Sequence, residues 1–119
     1  MPERSALADA TTTVGELKEA VRRFVAERHW EPYHSPKNLS MALAVEAAEL
    51  MEPFLWVEPE ASRLLTADPA KREAIADELA DVTILLLNLS LSLDIDLSDA
   101  VAMKMRKNAV KYPPGQTGV

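Results

Sequence analysis

A chain of 119 residues with a formal charge of −6 and no cysteine fits one domain, which at this size buries roughly two-thirds of its unfolded surface. The missing cysteine excludes disulfides, thiolate zinc sites and a thiol nucleophile, and two histidines are too few for an all-imidazole metal site, so any metal is held mainly by oxygen. The acidic balance repels nucleic acid and anionic membrane, so neither is expected as a partner, and a polyanionic ligand needs a cation between it and the chain.

Residues 1–12 read as a flexible N-terminal segment. They lack a basic start followed by an apolar run, and the longest apolar stretch, 82–87, is far short of the roughly 18 residues that a membrane span requires. No export or membrane signal is visible, and a cytoplasmic location is expected.

Thr13 followed three residues on by Glu16 forms a capping box, and Val14, Leu17, Val21, Phe24, Val25 and Arg28 continue at helical spacing, predicting a helix over 13–29. Trp30-Glu31-Pro32-Tyr33-His34-Ser35-Pro36 cannot continue it and reads as an ordered loop. A second helix is expected over 36–52, then a proline-broken connection with a short helix through Arg63. Asp68 caps a long third helix that starts at Pro69 and runs to about residue 93. Asp94-Ile95-Asp96 breaks the pattern, Asp96 or Ser98 caps the next start, and a last helix carries Val101, Met105, Asn108 and Tyr112. The domain therefore spans 13–113, with a flexible tail at 114–119. No stretch alternates as a β-strand does, so the fold class is all-α, a bundle of four to five helices.

On the second helix Leu39, Leu43, Glu46 and Leu50 share one stripe, within about 40 degrees at about 100 degrees per residue. Glu46 therefore points where the core should be, with Glu49 one turn on and two alanines between them. The third helix repeats the device with Glu78 and Asp81, the latter entering a run that is apolar on all sides and extended on the same stripe by Asn88. A carboxylate left unpaired there is costly. A single Glu-x-x-Glu is most often a solvated helix face. Two matched pairs beside apolar runs instead bring four acids together, a repulsive set unless a hard cation such as Mg2+ neutralises it.

The Glu-x-x-Glu, spacer, Glu-x-x-Asp pattern of Glu46, Glu49, Glu78 and Asp81, with 28 residues between the two halves, resembles the MazG-type all-α nucleoside triphosphate pyrophosphohydrolases. The segment from Trp30 to Leu39, then Phe54-Leu55-Trp56 and the closing Lys104, Lys107, Asn108, Lys111 and Tyr112-Pro113, is similar to the dCTP pyrophosphatase branch. The likeness covers about residues 16–113. Two positions depart from it: Val45 stands where many relatives carry a glutamate, and Leu85 where the dCTP branch can carry a tyrosine.

The resemblance implies cleavage of a nucleoside triphosphate between its α and β phosphates, releasing pyrophosphate. Glu46, Glu49, Glu78 and Asp81 would hold Mg2+, or Mn2+ in its place, and Glu49 would take the proton from the attacking water. Trp30, His34, Asn38 and Trp56 would form the base pocket, and Lys104 and Asn108, on one face of the basic last helix, would meet the phosphates. The third helix, apolar around its circumference, needs more cover than this chain supplies, so a homodimer or homotetramer is expected. The alternative from another class is a non-catalytic helical scaffold whose acids serve only as ion-pair partners.

Overall fold

The computed structural model describes residues 7–115. Five α-helices follow one another: α1 (Val14–Glu27), α2 (Pro36–Met51), the single turn α3 (Pro59–Ser62), α4 (Pro69–Ser92) and α5 (Leu97–Lys111). Short 3-10 turns occupy Glu31–Tyr33, Glu52–Phe54 and Leu65–Ala67. No strand occurs among the described residues, and none of their helices is long and apolar enough to cross a membrane.

The helix starts are made by side chains. Thr13 Oγ1 accepts from the Glu16 amide while Glu16 Oε1 accepts from the Thr13 amide, the expected capping box. Ser35 caps α2 by accepting from the Asn38 amide, Asp68 caps α4 through the Ala70 amide, and Asp96 rather than Ser98 caps α5 through the Asp99 amide. Each supplies an acceptor to an amide with no partner inside its helix.

The ends of α1 and α4 are made differently, and both helices stop slightly earlier than their periodicity suggests. His29 has φ 54 and Asp94 has φ 51, the left-handed conformation usual for glycine. Around His29 the amide of Trp30 donates to Val25 O and that of His29 to Ala26 O; around Asp94 the amide of Ile95 donates to Ser90 O and that of Asp94 to Leu91 O. These are two Schellman closures, each satisfying carbonyls that the helix leaves open.

Helix α4 is the shared support: α1 and α2 both pack on it, and the Leu65–Ala67 turn leads directly into its start. Val21 and Val25 of α1 meet Leu87 of α4 in a buried cluster flanked by Leu17 and Leu97. Leu39 and Ile75 are also buried. On the α2 stripe Leu39 is buried and Leu43, Glu46 and Leu50 are half-buried, as the spacing requires. Little else is covered. Met41, Val45, Leu79, Ile84, Val101 and Met105 are between 47% and 65% exposed. The radius of gyration, 16.9 Å, exceeds the roughly 13–14 Å of a compact chain of this length.

Candidate metal centre

Packing α2 on α4 brings Glu46 and Glu49 from one helix against Glu78 from the other, with one carboxylate oxygen of each within 4.8 Å of the rest. Glu46 and Glu78 are half-buried and Glu49 is exposed, so the group opens to solvent on the Glu49 side. Oε2 of Glu46 and Oε2 of Glu78 are shut off from solvent and have no hydrogen-bond partner. Buried polar atoms normally find partners, and those of ionised groups are the costliest to leave without one.

The electrostatics follow from this crowding. Burial, then the adjoining Glu49 carboxyl by contact and by charge, then the charges of Asp81 and Glu78, push the Glu46 carboxyl up to about 7. Glu78 is raised in the same direction by burial and by the charges of Glu49, Asp81 and Glu52, with the adjoining Glu46 carboxyl acting the other way. Such a group relaxes by taking up a proton or by gaining a cation. Its all-carboxylate donor set suits a hard divalent ion and not a thiolate- or imidazole-seeking one.

Asp81 differs from its expectation. It lies outside the close trio and is exposed rather than enclosed by the apolar run, which relieves the burial penalty. Its charge still bears on both Glu46 and Glu78.

The other candidates fall into separate places. The Asn88 Nδ2 amide donates to Nδ1 of His34 at 2.9 Å, tying the loop after α1 to α4. Asn38 Nδ2 donates to Tyr33 O, bracing the same loop from α2. Trp30 meets His34 and Phe24 edge-on, with ring centroids at 6.2 and 5.8 Å, while Arg28 covers the opposite partner, Phe24, 3.5 Å above its ring. Arg22, Val25, Glu31, His34, Asn88, Leu91 and Ser92 line a cleft of about 310 Å³ between α1 and α4. Trp56 is 90% exposed. Lys104 is exposed and Asn108 half-buried on α5, and among the described residues Lys104 joins no ion pair. The His34–Asn88 bond, spanning 54 positions, is the feature that sequence reading missed; the placement of Asn88 on the Asp81 stripe was its only trace.

An all-α chain in which carboxylates converge from two packed helices, a donor set that could hold a cation through oxygen alone, defines the class. Residues 41–117 match the model of the MazG-like family, and the chain belongs to that family. It is 38% identical over 101 residues to dCTP pyrophosphatase 1 of Bos taurus, covering 85% of this chain and 60% of the relative. The same identity and coverage of this chain hold for dCTP pyrophosphatase 1 of Homo sapiens, of which 59% is covered. The chain thus spans about three-fifths of the length of these curated relatives. The crystal structure of a pyrophosphatase from Archaeoglobus fulgidus superposes with a TM-score of 0.75 at 36% identity, covering 90% of this chain and 98% of the other.

Proposed function

We propose that this protein is a magnesium-dependent nucleoside triphosphate pyrophosphohydrolase that cleaves a (deoxy)nucleoside triphosphate, with dCTP or a related or modified nucleotide as substrate, to the monophosphate and pyrophosphate. The observation that carries the reading is the pair of buried, partnerless oxygens of Glu46 and Glu78, in carboxylates that cluster with that of Glu49. The similarity to proteins named dCTP pyrophosphatase supports the choice of substrate.

In this reading Glu46, Glu49 and Glu78 hold the cation, and Asp81 adds charge and a further oxygen at the rim. Mg2+, or Mn2+, supplies neutralisation of the phosphate charge, which an acidic protein cannot provide from its carboxylates. Glu49 accepts a proton from water attacking the phosphorus, a role that its exposure to solvent supports. Lys104 and Asn108 contribute donors to the phosphates, and Trp30, His34, Asn38 and Trp56 contribute the base pocket. The exposed apolar side chains of α2, α4 and α5 support assembly as a homodimer or homotetramer, which would cover them and enclose the site.

The test is release of monophosphate and pyrophosphate from each common nucleoside and deoxynucleoside triphosphate, with and without Mg2+. Magnesium-dependent pyrophosphate release from dCTP or an analogue is expected. Release from another nucleotide alone would discard the base assignment, and no release from any would favour a helical scaffold.

A further inference from the structure

Resting on the nucleotide reading above, we infer that Asn88 is a positioning residue that fixes the tautomer of His34, so that its Nε2–H donates to an acceptor on the substrate's base in the cleft between α1 and α4. The argument starts at a single contact. A carboxamide nitrogen carries only donors, so an Nδ2 held 2.9 Å from His34 Nδ1 requires that ring nitrogen to be bare, and the proton of the neutral imidazole then sits on Nε2.

The rest of the loop allows the ring little freedom. The His34 amide donates to Glu31 O, Asn38 Nδ2 holds the neighbouring Tyr33 carbonyl, and the Trp30 ring stands edge-on against the imidazole. His34 and Asn88 together line the cleft of about 310 Å³, whose other polar walls are Arg22, Glu31 and Ser92. Arg22 is already paired with Glu19, which leaves the His34 N–H as a neutral donor at a defined position.

The distance along α4 suits one ligand reaching both places. Asn88 follows Glu78, the α4 member of the trio, by ten residues, roughly 15 Å of helix axis, and Asp81 at the rim by seven, roughly 10 Å. That is on the scale of a nucleoside triphosphate with its phosphates at the carboxylates and its base farther along the helix. A donor whose proton is fixed on one nitrogen distinguishes bases by the acceptor they present, because a base offering only a donor there leaves the N–H of the half-buried His34 unmatched.

Long-range proton–nitrogen NMR of the full chain, without nucleotide, reads the tautomer directly. The wild type is expected to hold His34 as the Nε2–H form, Asn88→Ala to release it to a mixture, and Asn88→Asp, which offers an acceptor, to put a proton on Nδ1. Steady-state kinetics with dCTP and Mg2+ are expected to show KM rising about tenfold in Asn88→Ala, the scale of one lost hydrogen bond, with a far smaller change in kcat. A wild-type His34 protonated at Nδ1, or a tautomer ratio unmoved by Asn88→Ala, overturns the inference. A ratio that moves while KM for dCTP stays at the wild-type value overturns its link to the base. Should no nucleotide be hydrolysed by the wild type, the function proposed above fails, and the NMR arm still decides the role of Asn88 in holding His34.

Discussion

Glu46 on α2 and Glu78 on α4 each turn one carboxylate oxygen into a place that excludes solvent and offers no hydrogen bond. Helices that pack on each other would ordinarily bury leucine or alanine at such a seam. The apolar neighbours are there, with Leu43 and Leu50 on the same face of α2, and the acids displace what could have been continuous core. The chain thus gives up local stability at one point.

Cation binding should return that stability. A ligand that binds only the folded chain, at one hundred times its dissociation constant, adds about 2.7 kcal/mol, or roughly 10 °C in Tm for a domain of this size. Thermal unfolding with and without millimolar Mg2+ is expected to show a rise of this order, and Glu46→Gln to lose most of it. Equal Tm values in Mg2+ and in chelator would remove the metal from the site.

The metal-free protein should weaken as pH rises. Burial and the neighbouring carboxylates lift Glu46 from 4.5 to about 7, so the folded chain holds this proton more tightly than the unfolded one. The resulting stabilisation is fully present below about 4.5 and is lost as pH rises through about 7. Glu78 is raised too and acts in the same sense. Unfolding midpoints in chelator between pH 4.5 and 8 are expected to fall across the window, with a shallower slope in Glu46→Gln. In Mg2+ the fall should be reduced, because the cation competes with the protons.

Helix ends offer an independent check of the backbone. His29 holds a left-handed conformation that disfavours a residue with a Cβ by about 1–2 kcal/mol. His29→Gly is expected to stabilise the protein by about 0.5–1 kcal/mol, some 2–4 °C, without altering turnover. A destabilised variant would mean that the His29 ring makes a contact worth more than the strain.

These ends also mark where the sequence was hard to read. Helix starts were legible because Thr13, Asp68-Pro69 and the Asp96 and Ser98 pair are local signals acting within four residues. The stops were placed to within two residues by the segments that follow them, but the left-handed closures at His29 and Asp94 were not legible, because a histidine and an aspartate stand where glycine would have announced them. Among the acids, the i, i+3 spacing of Glu46 and Glu49 and the position of Glu78 on the facing helix anticipated the close trio. Spacing could not tell that Asp81, three residues after Glu78, sits at the rim, since that depends on how α4 is rotated against α2. The link from His34 to Asn88 was hidden for a related reason, as it exists only once the loop after α1 folds back onto α4.

The asymmetry within the acid group gives a ranking of substitutions. Glu78→Gln should abolish magnesium-dependent turnover, because it removes charge at an enclosed oxygen, while Asp81→Asn, at the exposed rim, is expected to cost less if the trio alone holds the ion. Comparing kcat/KM for the two variants at saturating Mg2+ checks this. Equal, complete loss in both would make Asp81 a ligand of the same standing as Glu78.

The most direct measurement is magnesium-dependent release of pyrophosphate from dCTP by the wild type and by Glu46→Gln, with folding and assembly of both verified by circular dichroism and light scattering. Steady release by the wild type and a loss of about a hundredfold or more in the variant, on a scale usual for removing an electrostatic element of a reaction centre, are expected. A folded Glu46→Gln protein that releases pyrophosphate as fast as the wild type would contradict the assignment of the carboxylate cluster as the reaction centre.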